Sequence, residues 1–154
     1  MDENEFKRRT KQFGLRVIKL ACVLPREMPA QVIGKQLLRA ATSVGANYRA
    51  ACRGKSVADV INKLGIVEEE ADESVYWLEM LIEADLMPEA RLRDLLREAN
   101  EIVAMTVASI KTLRRGAGCQ SKTQNPKSAS DVPEHIVTLA RRGPRPRPDH
   151  HPSA

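Results

Sequence analysis

Along the first 114 residues, apolar positions recur at alternating steps of three and four, the period of a helix that buries one face. Phe6, Phe13, Val17, Leu20, Ala21 and Leu24 predict a first helix from about Glu5 to Leu24. Pro25 and Pro29 end it and open the next. The second helix is expected from about Ala30 to Arg53, with Ile33, Leu37, Ala41, Val44, Tyr48 and Ala51 on one stripe. Gly54 suits a C-terminal cap and Ser56 an N-cap. The third helix, about Val57 to Ala84, carries a heptad-like seam of Val57, Val60, Leu64, Val67, Ala71, Ser74, Leu78 and Leu81, which implies near-parallel packing. Met87 and Pro88 turn the chain. The fourth helix runs from about Glu89 to Arg114, with Leu92, Leu95, Ala99, Ile102, Thr106, Ser109 and Leu113 facing in. Short connections make sequential helices antiparallel. The expected fold is therefore all-α, an up-down-up-down antiparallel four-helix bundle over residues 1–115.

Residues 116–154 differ in kind. They hold six of the nine prolines and all three histidines, and they lack periodicity. "RRGPRPRPDHHP" reads as an extended, disordered, polyproline-like tail. Within it "DVPEHIVTLARR", 131–142, has the pattern of a short helix capped by Asp131, marginal at that length without a docking surface.

One stretch contradicts its own helix. "RAATSVGANYRAAC", 39–52, places Thr42, Ser43, Gly45 and Asn47 where the pattern is helical, and a helical Gly costs about 1 kcal/mol relative to Ala. If the turn between helices two and three centres near Lys55, Gly45 faces Gly65, and two opposed glycines let backbones approach more closely than about 8–10 Å. The same register brings Arg39 near Asp72 and Asn47 near Lys63 or Val67. Close packing is the favoured reason for these residues, with a buried polar network that fixes register as a further one.

Charge adds a second asymmetry. The net charge is +5, but residues 1–55 carry +8, residues 56–115 carry −6 and the tail +3. No acid occurs from Met28 to Ala58. Such a division suits helix hairpins that neutralise each other, and equally a basic face for polyanions. Aromatics are only 3% of the 154 residues, so the core is aliphatic and small. Cys22, Cys52 and Cys119 are isolated and are read as reduced hydrophobes. No apolar run approaches the ~20 residues of a membrane span, and "MDENEFKRR" is no signal core, so a cytoplasmic location is expected.

The stretch "VIGKQLLRAATSVGANYRAACRGKS", followed by "INKLGIVEEEADESVYWLEML", closely resembles the four-helix bundle proteins called 23S rRNA-intervening-sequence proteins. In that family a segment of the form "IGxQLLRSxTSVGANYREA" precedes "ADEtxYWLEL". The resemblance covers about residues 5–114, and one departure is Ala50–Ala51, where the family often has an acid. It implies a cytoplasmic bacterial bundle, a ring-like homopentamer and no established enzymatic activity. The family is related to the accessory variability proteins of diversity-generating retroelements, basic pentamers that bind a reverse transcriptase and nucleic acid.

Lys35, Arg39, Arg49, Arg53 and Lys55 form the candidate nucleic-acid-binding run. Lys35 and Arg39 lie four apart, as do Arg49 and Arg53, so each pair shares a helix face. Arg8, Arg9, Lys11, Arg16 and Lys19 extend the surface. Such a patch grips phosphates without reading bases. The competing reading is a solvated face, or pairing with the acids of helix three. Tyr48 belongs to the core stripe, and Trp77 borders the seam at a position suited to burial or a subunit contact. The acids Glu70 and Glu73, with Glu98 and Glu101, form two Glu-x-x-Glu pairs of the kind that hold Mg²⁺ in all-α nucleotide pyrophosphatases. The body has no His, no Gly-rich phosphate loop and no paired nucleophile, so neither an enzyme nor a cofactor is expected. The sequence thus favours a non-enzymatic homo-oligomer, pentameric by the resemblance, with a basic surface for RNA or DNA. Behind that reading stands an accessory adaptor for a retroelement reverse transcriptase, and more distantly a Mg²⁺-dependent nucleotide pyrophosphatase.

Overall fold

The computed structural model describes residues 2–120. Four helices follow one another: α1 (Glu3–Ala21), α2 (Met28–Ala51), α3 (Val57–Glu83) and α4 (Glu89–Gln120). Each packs on its neighbour in sequence, and a sparser seam between α1 and α4 closes the bundle. α4 continues to Gln120, past the boundary expected at 115. The expected tail beyond it, with its short helix over 131–142, lies outside the described residues.

Local chemistry explains the helix ends. Asp2 caps α1 by accepting the Glu5 N–H at 2.7 Å. Ser56 caps α3 by accepting the Asp59 N–H at 3.1 Å, while the Asp59 carboxylate accepts the Lys55 N–H at 2.9 Å. That backbone donor, seconded by Lys63, holds the Asp59 carboxyl below its ordinary range. α3 ends in a Schellman turn: the Leu86 N–H bonds Leu81 O at 3.1 Å and the Asp85 N–H bonds Ile82 O at 3.0 Å. Asp85 takes the left-handed position, with φ 54°, where glycine is usual. Gly54, expected as such a cap, has no positive φ. Its reason is space: a Cβ there would lie 2.4 Å from Val60 Cγ2 and 3.1 Å from Ala51 O.

The core follows the apolar pattern closely. Phe13, Val17, Leu37, Val44, Val67, Leu78, Leu81, Leu92 and Ile102 are fully buried. The α4 stripe departs at one place: Ser109 is exposed and Ile110 takes the interior position. Three buried hydroxyls, on Thr10, Ser74 and Thr106, each donate to the carbonyl four residues back, at 3.0, 2.8 and 2.8 Å. Burial therefore leaves none of them unpaired.

The weakened stretch of α2 faces α1, not α3. A Cβ on Gly45 would sit 3.4 Å from Thr10 O, and one on Gly14 would sit 3.4 Å from Ala41 O. Two glycines thus bring the backbones of α1 and α2 into contact. Gly65, the expected partner of Gly45, has nothing within 4 Å of a Cβ. The register estimate failed because it fixed where residues lie along the hairpin but not which side of α2 they occupy. Neither does an interhelical polar network form: Asn47 Nδ2 donates to Ser43 O at 3.0 Å and Thr42 Oγ1 to Leu38 O at 2.7 Å, both within α2.

These glycines should respond differently to substitution. Ala fits at Gly14 and Gly45 in ordinary van der Waals contact, and its better helix propensity makes both changes neutral or stabilising by up to about 1 kcal/mol. Gly14→Leu drives a branched side chain into the α2 backbone and is expected to cost about 1–3 kcal/mol. Thermal melts check the order; a Gly14→Leu protein that melts with the wild type would show that α1 and α2 do not touch there. Asp85→Gly should instead raise Tm, because it removes a left-handed strain on the order of 1 kcal/mol.

Candidate nucleic-acid interface

The bundle sorts its arginines into two groups. Arg39, on α2, hydrogen-bonds Glu73 of α3 and lies 3.7 Å from Glu70. Glu73 also accepts the Trp77 indole N–H at 3.0 Å. That bond, together with Arg39, holds the Glu73 carboxyl below its ordinary value. Glu70 goes the other way, because burial raises it and Arg39 only partly offsets the effect. Its Oε2 is buried with no hydrogen-bond partner. Asp72, the partner expected for Arg39, is exposed and turns toward the side of α3 that meets α4.

Arg9, on α1, makes the equivalent clamp on α4. It bonds both Glu98 carboxylate oxygens, at 2.5 and 3.1 Å, and also Glu101. The Glu98 contact is the main reason its guanidinium is held more firmly protonated than usual. The two Glu-x-x-Glu pairs therefore each hold an arginine. The α3 pair faces α2 and the α4 pair faces α1, so they point to different sides and share no space for a metal. Among the described residues, no three His, Cys, Asp or Glu side chains gather into such a site. The sequence did not reveal the Arg9 clamp, although the i, i+3 spacing of Glu98 and Glu101 was its visible half.

The cations of the second group have no ion-pair partner among the described residues. Arg49, Arg53 and Lys55 are exposed where α2 ends and α3 begins. Antiparallel connections bring the C-terminal part of α4 to the same end, with exposed Lys111, Arg114 and Arg115. Lys35 is also exposed, with no ion-pair partner among the described residues, and lies near the same face of α2 as Arg49. At 1.5 Å per residue, however, it lies about 21 Å away along the helix. Arg8 and Arg16 line a shallow groove between α1 and α4, over Phe13. The five residues singled out from the sequence thus divide into a cluster of three, a distant Lys35 and an engaged Arg39.

Neither aromatic offers an open stacking face. Tyr48 meets Phe6 edge-on, with ring centroids 4.5 Å apart, and burial raises its hydroxyl pKa. Trp77 is half-buried, tied to Glu73 and set edge-on against exposed Tyr76 at 4.8 Å. No helix among the described residues is long and apolar enough to cross a membrane.

The fold is a bundle of four helices joined as successive hairpins. The model of the 23S rRNA-intervening sequence protein family matches residues 2–108, and the chain belongs to that family. Among solved structures it is similar to a protein with unknown function of the S23 ribosomal protein family from Bacteroides thetaiotaomicron VPI-5482. The two share 37% identity and a TM-score of 0.67, over 72% of this chain and 99% of that one. No curated protein matches the chain.

The opposed glutamate shifts predict an acid signature. A carboxyl depressed on folding gives stability that is present above its unfolded value and lost as pH falls. Glu73, lowered from 4.5, should make the protein lose stability below about pH 4.5. Glu70, raised from 4.5, works in the opposite sense and weakens the fold as pH rises through its shifted value. Glu73→Gln should therefore lower Tm at pH 7 by more than Glu70→Gln does, with the Glu73→Gln deficit shrinking toward pH 3.5. The reverse order at pH 7 would mean that Arg39 is held chiefly by Glu70.

Proposed function

We propose that the protein is a non-enzymatic homo-oligomer, pentameric and cytoplasmic, that binds RNA or DNA by charge through the end of its bundle. The observation that carries this reading is the cluster of Arg49, Arg53 and Lys55, exposed at one end of the fold with no ion-pair partner among the described residues. Three neighbouring cations at the turn between α2 and α3, with three more on α4 at the same end, suit phosphates spaced along a backbone. No exposed side chain among them carries an evident base-reading pattern. The binding is therefore expected to follow charge density with little sequence preference. The name of the family, an rRNA-intervening sequence protein, is in keeping with a nucleic-acid context. Its resemblance to retroelement accessory proteins supports a second reading, an adaptor that brings nucleic acid to a reverse transcriptase through the same surface.

Binding across a salt series tests the proposal. Each phosphate neutralised on duplex DNA contributes about −0.9 to the slope of log K against log salt. Replacing Arg49 and Arg53 together by Gln should weaken binding to every sequence about equally and flatten the slope by roughly 1–2. Helix content should hold, because Gln is nearly as good a helix former as Arg. Arg39→Gln should do the reverse, lowering thermal stability and leaving the slope alone. Unchanged affinity in the Arg49/Arg53 variant, with a broken assembly, would make the cluster a structural feature.

A further inference from the structure

No side chain or backbone among the described residues packs against Gly65 where a Cβ would stand. It sits inside α3, where glycine weakens a helix by about 1 kcal/mol relative to Ala. Unlike Gly14, Gly34, Gly45 and Gly54, it has open space where a Cβ would stand. That space belongs to a groove of about 440 Å³ between α3 and α4. Gly65 and Val103 floor it, Glu68, Glu69 and Asp72 rim it, and Arg114 lies at one end. None of the three acids has an ion-pair partner among the described residues.

The opposite side of the bundle has the complementary character. Lys11 and Ile18 flank Gly14 at steps of three and four, which places them along the edge of α1 next to α2. Leu15 lies between them, 39% exposed, and Ile18 is 41% exposed. Across the α1–α2 contact lie half-buried Leu38 and exposed Lys35. Neither lysine has an acid partner among the described residues. One side of the molecule thus shows apolar knobs among unpaired cations, and the other an apolar-floored groove among unpaired anions.

We propose that the α1–α2 face of one copy docks into the Gly65 groove of the next. The proposal rests on the homo-oligomer reading above and names its interface. Leu15 and Ile18 fill the space that Gly65 leaves, while Lys11 and Lys35 meet Glu68, Glu69 and Asp72. Two different surfaces on opposite sides of a subunit make a head-to-tail contact, which closes into a ring when the rotation allows. Cyclic symmetry then carries every copy's Arg49, Arg53 and Lys55 to the same side of the ring.

Sedimentation of the full chain tests this assignment. The wild type is expected as an oligomer. Lys11→Glu with Lys35→Glu should give a monomer, as should Glu68→Lys with Asp72→Lys. Combining all four reversals should restore the oligomer, because the two faces again carry opposite charge. Gly65→Leu should also give a monomer, with helical circular dichroism retained, since its side chain enters space that no described residue fills. A wild-type oligomer that survives both charge reversals and Gly65→Leu would overturn the interface while leaving homo-oligomerisation intact. A wild type that is monomeric at every concentration would overturn both.

Discussion

The contact on which the fold depends is the one between the backbones of α1 and α2. α1 meets α4 only along a sparse seam, so its position is set by Gly14 against Ala41 and Gly45 against Thr10. Small residues allow dispersion contacts between main chains that larger side chains would hold apart. The helix propensity lost at two glycines is offset by that closeness, and by the burial of Phe13, Val17, Ala41 and Val44 on either side of it. With α1 fixed, Arg9 reaches Glu98 and Glu101 and closes the bundle on its open side.

Charge then divides according to position. Arg9 and Arg39 join helices and are engaged by glutamates at i, i+3 spacing on α4 and α3. The Arg39 pairs are the more exposed and contribute modestly to stability, whereas Arg9 and Glu98 are mostly buried. The pairs also select register: Arg39 meets Glu73 and Glu70, and Asp72 between them turns away. Arg49, Arg53 and Lys55 have no ion-pair partner among the described residues, and their own segment, Met28 to Ala58, supplies no acid. The surface that results is basic at the turn between α2 and α3 and acidic along α3.

Much of this was legible in the sequence, and the limits are physical. Apolar periodicity located all four helices within a few residues at most ends and identified nearly the whole core, because a buried face leaves a repeating mark. It missed the shift from Ser109 to Ile110, where α4 stops following the seam. The need for close packing around Gly45 was readable, but its partner was not. A one-dimensional register gives height along a helix, whereas Gly45 and Arg39 lie on different sides of α2, toward α1 and α3 respectively. The Gly54 cap failed for a related reason: glycine can serve space as well as conformation, and only Val60 Cγ2 shows which. Asp85 carries the left-handed turn without a glycine to announce it. Of the candidate nucleic-acid-binding cations, Arg39 had pairing with Asp72 of α3 as its competing reading, and it meets Glu70 and Glu73 of that helix instead. That Lys35 stands about 21 Å from Arg49 along α2 follows from helix rise alone.

The central claim is that the fold separates engaged arginines from free ones, and that the free ones meet the polyanion. Residue-resolved modification with phenylglyoxal, read by mass spectrometry with and without duplex RNA, tests it directly. Arg49 and Arg53 should react faster than Arg9 and Arg39, and RNA should protect them while leaving the rates of Arg9 and Arg39 unchanged. Equal reactivity at all four arginines, or no protection at Arg49 and Arg53, would contradict the account.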